Sequence, residues 1–199
     1  MQSNSFLDHE NAERILEEGW LMFQRQGYRG VTIDALCLQC GVTKPTLYYY
    51  FHDKENLFVQ VLQHKLRGFR KVIEQPGSLD ERLQHTALSI LESFQTEYSS
   101  LLRDRTHIKD PENVERVRVA FHAELFGPLA VLMQAGIDEG NLRGDDPDLL
   151  TLVFLGILNS FIGKAIEMHV ENAVLAGQLT GFFLDGARLS RLASPTKIG

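Results

Sequence analysis

Apolar residues recur at three- and four-residue intervals along nearly the whole chain, and strand-like alternation between turn residues is almost absent. That single pattern commits the chain to an all-α fold. The helix starts and stops are written locally. "ENAERILEEGWLMFQRQG" sets Ala12, Ile15, Leu16, Gly19 and Phe23 on one stripe and ends at Gly27. Thr32, Thr43 and Asp53 stand where N-caps of three further helices belong, the last running to the Pro76-Gly77 break. Ser78 followed by Glu81 is a capping-box pattern opening a fifth helix. A sixth is expected over Glu97 to about Arg105. Asp110-Pro111 and Asp146-Pro147 each place a capper before a proline suited to a first turn. The first opens a long helix kinked at Pro128, the second an apolar helix over residues 148–168. A last helix is expected from Asn172 to about Leu192, with a frayed "ASPTKIG" tail.

Composition narrows the class. At 199 residues, 44% hydrophobic and 23% charged, the chain suits one large or two small globular domains. Its longest uncharged apolar run, Leu149 to Gly163, is shorter than the ~20 residues of a membrane span, so no membrane partner is expected. The N-terminus lacks the basic start and apolar centre of a signal peptide, and two cysteines make no disulfide framework. The expected compartment is cytoplasmic. The net charge of −6 argues against a generally basic nucleic-acid coat but leaves room for a local positive patch.

"CLQCGVTKPTLYYYF", residues 37–51, holds the densest chemistry. Ile33, Leu36, Cys37 and Cys40 fall on one helical face, so both thiols are expected in a core. Residues three apart on a helix have Cβ atoms roughly 5–6 Å apart, too far for a disulfide, and Cys40 sits at a helix C-terminus that disfavours a thiolate. No second C-x-x-C or spaced His pair completes a zinc site. Two short helices around Gly41 make a helix-turn-helix. At about 100° per residue, Leu47 and Phe51 face inward, Pro45, Thr46, Tyr48 and Tyr49 face outward, and Tyr50 leans in. Such an arc suits a major groove: hydroxyls reach phosphates and base edges, and rings and proline carbons reach thymine methyls. Lys44 and Lys54 supply phosphate charge, and the helix starts at Thr32, Thr43 and Asp53 offer backbone N–H groups. A tyrosine-rich protein interface is the alternative use of the same arc.

Taken together, "GYRGVTIDALCLQCGVTKPTLYYYFHDKENLF" resembles the DNA-binding region of the TetR family of transcriptional regulators, over about Ala12 to Phe58. The resemblance implies a helix-turn-helix domain over residues 1–53 and a larger helical domain over 54–199 that binds a small molecule and dimerises. It implies that Thr32, Thr43, Tyr48, Tyr49 and Lys54 hold DNA and that Lys44, Pro45 and Thr46 face bases. It further implies a homodimer on a near-palindromic operator of duplex DNA, acting as a repressor released by an effector. The arm before the first helix departs from many relatives in being acidic. Residues 1–60 carry eight Asp and Glu against five Lys and Arg, so modest non-specific affinity and a shallow salt slope are expected.

For the C-terminal region, Gly156, Asn159, Ser160 and Gly163 offer a small-residue groove, and Leu175, Leu179, Phe182, Gly186 and Leu189 repeat at heptad-like spacing. Two such helices from each of two chains would form a four-helix bundle, with internal packing as the alternative. Pocket residues are expected among Leu62, Leu66, Leu91, Phe94, Tyr98, Phe121, Leu125 and Phe154, with Arg118, His122, Glu124 and His107 as polar members. Each of these also fits a plain core or surface role. The many phenylalanines point to a hydrophobic or aromatic effector. No hydrolase, P-loop or dinucleotide motif occurs, and the seven histidines form no i, i+4 pair on one helix. No enzyme, cofactor or metal is therefore expected.

Overall fold

Caps decide where the helices begin. In the computed structural model, which describes residues 3–94 and 107–188 and side chains from Glu10 onward, all regular structure among those residues is helical. α1 (Ser3–Gly30) is broken at Gly27, whose φ of 68° ends the regular spiral where the sequence stops its apolar stripe. Thr32, Thr43 and Asp53 accept from the N–H groups of Ala35, Thr46 and Asn56 and open α2 (Ile33–Cys40), α3 (Lys44–Phe51) and α4 (Lys54–Ile73). The reciprocal Ser78–Glu81 box opens α5 (Leu79–Ser93). Asp110 and Asp146 cap α6 (Pro111–Phe121) and α8 (Pro147–Phe161), each with proline at the start. The sixth expected helix, over 97–105, and the end of the last one lie outside the described residues.

α4 is the axis of the molecule. It packs on α1, α5, α6 and the turn that follows α6. α1 crosses it at Gly19, where a Cβ would meet Val61 Cγ2 at 3.1 Å. Phe23, Phe51, Leu57 and Phe58 seal the N-terminal helices around that crossing. Trp20 reaches further: its indole Nε1 donates to Ser93 O at 3.2 Å, and its ring meets Phe94 edge-on at 5.3 Å. α10 (Asn172–Ala187) lies mainly on α5 and also on α8, and Arg188 pairs with Asp80 at 2.6 Å.

Two expected helices are divided. The kink placed at Pro128 begins upstream, in a π-helical turn over His122–Phe126 that leads into α7 (Gly127–Asp138). Proline donates no N–H and its ring crowds the carbonyl four residues back, so the spiral widens before it. Gly127 closes the turn by donating its N–H to His122 O, and a Cβ there would stand 2.9 Å from that oxygen. The helix expected over 148–168 stops at Phe161. Ile162 is extended, Gly163 turns at φ 75°, and the short α9 (Ala165–Met168) follows. Ile162 and Ala165 stay buried through the break, so the apolar rhythm continues and conceals it.

Pro111–Asp138, a 28-residue helical stretch, is long and apolar enough by composition to cross a membrane. Here Leu125, Leu129, Leu132 and Met133 on it are buried in the core.

Candidate nucleic-acid interface

The outward arc of α3 is built by what faces inward. Leu47 and Phe51 are fully buried and fix the rotation of the helix. Tyr48 and Tyr49 are thereby turned out, at 42% and 72% exposure, with Pro45 also exposed and Thr46 at the edge. Tyr50 is half-buried and meets Tyr49 edge-on at 5.2 Å. The tyrosines thus divide as the helical wheel predicts. At the helix start, Thr43 Oγ1 accepts from Thr46 N–H at 3.3 Å and lies 2.8 Å from Thr46 Oγ1. The turn from α2 is fixed by left-handed Gly41 (φ 62°), after which Val42 N–H donates to Cys37 O at 3.0 Å.

Both lysines have neighbours that the sequence reading did not foresee. Lys44 Nζ is 2.7 Å from Asp34 Oδ1, in the first turn of α2. Lys54 Nζ lies over the Tyr28 ring at 4.6 Å from its centroid. Tyr28 also stacks with His107 at 6.0 Å. Burial, with Glu55 and Asp53 adding to it, pushes the Tyr28 phenol up, so it stays protonated. Thr32 is exposed at the start of α2, with its hydroxyl accepting from Ala35 N–H at 3.1 Å.

Cys37 and Cys40 are free and buried. Burial, then the charge of Glu18, pushes the Cys40 thiol to about 11, and burial followed by Asp34 raises Cys37. Both are protonated at neutral pH, and no cluster of three metal-ligating side chains occurs among the described residues.

A second polar arrangement, absent from the sequence reading, ties α4 to α6. The Glu55 carboxylate accepts from Lys109 N–H at 3.0 Å, Asp110 N–H at 3.1 Å and Asn113 Nδ2 at 3.0 Å. Arg116 donates to Asn56 Oδ1 at 2.8 Å, Asn113 Oδ1 at 2.9 Å and Gln63 Oε1 at 3.3 Å. Burial pushes the Glu55 carboxyl up, but the hydrogen bonds from Asn113, Lys109 and Asp110 outweigh it and hold the group below its ordinary value.

Of the residues expected around an effector, Leu62, Leu66, Leu91, Phe94, Leu125 and Phe154 are buried in the core. Arg118 and His122 are exposed, and Arg118 is held by both Glu115 oxygens at 2.7 and 2.5 Å. The reason is rotational: Val117 and Leu125 take the inward arc and turn these two outward. Phe121 is half-buried, Glu124 lines one shallow cleft with Arg67 and Arg116, and Tyr98 lies outside the described residues.

The expected dimer residues also separate. Leu175 and Leu179 are 1% and 3% exposed, buried in the protomer on a helix that packs mainly on α5, so they belong to the core. Phe182 is 72% exposed, and Gly156, Ser160, Gly163 and Gly186 are exposed, with Asn159 half-buried. Leu149, Leu152, Val153 and Val174 extend this outward apolar face and were missed. The spacing of Leu149, Leu152, Val153 and Gly156, at i, i+3, i+4 and i+7, is the signal that finds them.

Residues 15–61 match the sequence profile described as "Bacterial regulatory proteins, tetR family". The HTH-type transcriptional regulator YfiR of Bacillus subtilis is 27% identical over 186 residues, covering 85% of this chain and 86% of that one. The HTH-type transcriptional repressor AcnR of Corynebacterium glutamicum is 26% identical over 157 residues, 76% of this chain and 80% of that one. Among solved structures, Bacillus subtilis FadR in complex with stearoyl-CoA has the same fold at a TM-score of 0.69 and 14% identity, over 88% of this chain and 99% of that one. The order of the helices, the two capped helices around Gly41 and these likenesses converge: residues 15–61 match the DNA-binding region of the tetR family of bacterial regulatory proteins, and the chain as a whole is similar to HTH-type transcriptional regulators.

Proposed function

We propose that the chain is a cytoplasmic, ligand-responsive repressor. Residues 1–53 read DNA, and residues 54–199 bind the effector and pair two copies. The homodimer places two α3 helices in successive major grooves of a near-palindromic operator, about one helical turn apart. One observation carries the reading: α3 turns Pro45, Thr46, Tyr48 and Tyr49 to solvent on a helix whose opposite side is locked by Leu47 and Phe51. Tyrosine hydroxyls and rings presented on a rigid element suit base edges and thymine methyls. Thr32, Thr43, Lys44 and Lys54 stand beside them as phosphate contacts.

Pairing is supported by the outward face of α8 and α10. Leu149, Leu152, Val153 and Phe182 form an exposed apolar surface around a groove that also includes Ile157 and Gly186. The effector is a small hydrophobic or aromatic compound held in the body. Its binding shifts α4, and the Glu55–Asn113–Arg116 connections to α6 carry the shift to the reader. Coupling of this kind is typically about 1–3 kcal/mol. Regulation by a bound ligand is consistent with the FadR structure, which holds stearoyl-CoA.

Selection from a random duplex library at low salt tests the reading, with a Tyr48→Ala, Tyr49→Ala double variant alongside. Enrichment of a two-fold-symmetric site by the wild type alone supports it. Absence of any enriched sequence, after refolding to strip bound ligand, assigns the tyrosine arc to a protein partner instead.

A further inference from the structure

The DNA-facing side carries a carboxylate where phosphate is expected to approach. Asp34 lies in the first turn of α2, 75% exposed, with Oδ1 2.7 Å from the Lys44 ammonium at the start of α3. A bare helix start attracts anions. Asp34 places its own anion there instead. Lys44 is one of only five cationic Lys or Arg residues in the first sixty, against eight Asp and Glu. It is half-exposed, so its pairing is not imposed by burial. The hydrogen bond and charge of Asp34 also hold its pKa above the ordinary lysine value.

We propose that Asp34 is a specificity-determining residue: by occupying Lys44, it lowers attraction to phosphate of any sequence and leaves discrimination to Pro45, Thr46, Tyr48 and Tyr49. The inference rests on the DNA-binding reading above. Its physical content is an exchange. Lys44 must leave a carboxylate to meet a phosphate, trading one ion pair for another. The carboxylate left behind then faces the phosphate backbone. Non-specific DNA gains little from that trade. A matched site gains through the hydroxyls and rings of α3, which do not depend on it.

The test is a cycle of Asp34→Asn, Lys44→Gln and the double variant. Affinity is measured by fluorescence anisotropy on a random-sequence duplex and on the duplex most enriched from library selection. Salt is varied from about 50 to about 200 mM. Asp34→Asn is expected to bind the random duplex roughly 10-fold more tightly at low salt, with the log–log salt slope steeper by about 0.9 per freed lysine. The enriched duplex gains less, so the ratio between the two falls. Lys44→Gln in the Asp34→Asn background is expected to remove the gain. Asp34→Ser gives a second variant, and melting temperature checks the fold, which the Thr32 cap should preserve. Unchanged or weaker binding by Asp34→Asn overturns the proposal. So does a gain that survives intact in the double variant, since Asp34 would then act without Lys44. Binding of neither duplex by any variant overturns the DNA-binding reading itself, a result distinct from wild-type binding that Asp34→Asn fails to alter.

Discussion

The outward arc of α3 and the outward face of α8 and α10 are both exposed and both rich in large side chains, yet their chemistry is opposite. On α3 each exposed ring carries a hydroxyl, and Thr46 and Pro45 add one more hydroxyl and a rigid apolar edge. Water satisfies that surface well, so it can stay uncovered until a polar partner, the proposed operator DNA, arrives. On α8 and α10 the exposed groups are Leu149, Leu152, Val153, Val174 and Phe182, which offer no donor or acceptor. Such a surface gains free energy only when covered. Exposure alone does not name a partner; what the exposed atoms can bond to does. One surface fits an intermittent polar partner and the other a lasting apolar one, as the proposed second copy would be.

The largest break in this contrast should come from Phe182→Glu. Losing two buried phenyl rings across a two-fold contact removes roughly 3–6 kcal/mol, which raises the dimer dissociation constant about 100-fold or more. Sedimentation velocity reads the outcome, and an unchanged dimer would show that the apolar face serves something else. Next in size is the Tyr48→Ala, Tyr49→Ala variant. Preference for the enriched duplex over a random one should fall by about 10-fold or more, at 1–3 kcal/mol per good base contact. The melting temperature should hold, because both rings are outside the core. A loss of folding with no loss of preference would place the tyrosines in packing.

A smaller effect sharpens the link between the two surfaces. Glu55→Gln should lower the melting temperature at pH 7 by roughly 2–4 °C. The sign follows from the lowered carboxyl. Its stabilisation is full above the ordinary value of 4.5 and disappears as pH falls through the depressed folded value. The gap between wild type and variant should therefore close in acid, and a gap that is constant with pH would mean the carboxylate charge is irrelevant. Smallest of all, Cys37→Ala and Cys40→Ala should each leave DNA affinity within about 2-fold, since buried free cysteine acts as a small hydrophobe. With the Cys40 thiol near 11, alkylation at neutral pH should be slow in the folded protein. Binding that responds to oxidant and reductant would give the reader a redox input and overturn that view.

How much of this was legible in the sequence depends on the range of each interaction. The caps at Thr32, Thr43, Asp53, Ser78, Asp110 and Asp146 act over two or three residues, so they could be read directly, and with them the rotation of α3. The Asp34–Lys44 pair joins two helices across a turn, and Glu55 meets Asn113 across 58 residues. Contacts of that kind leave no periodic trace. The faces of α10 failed for another reason. Both are apolar, so heptad spacing in the sequence did not distinguish Leu175 and Leu179, which are buried, from Phe182, which is exposed. Likewise the apolar rhythm ran through the Ile162–Gly163 break and hid the end of α8. A concave lining is defined by which helices meet, so the sequence could name candidates such as Arg118 and His122 but not the arcs they occupy, which are exposed.

The π-helical turn at His122–Phe126 acts as a vernier between two packing problems. Before it, α6 must keep phase with α4; after it, α7 must keep phase with α8. An unbroken spiral could match one phase at the expense of the other. One residue's worth of slack, about 100° of rotation, lets a single continuous rod satisfy both. A regular spiral through the same residues would turn Leu129, Leu132 and Met133 about 100° away from the core they fill. Neither Gly127 nor Pro128 touches DNA or a second copy in this reading, yet between them they hold the two halves of the body in register.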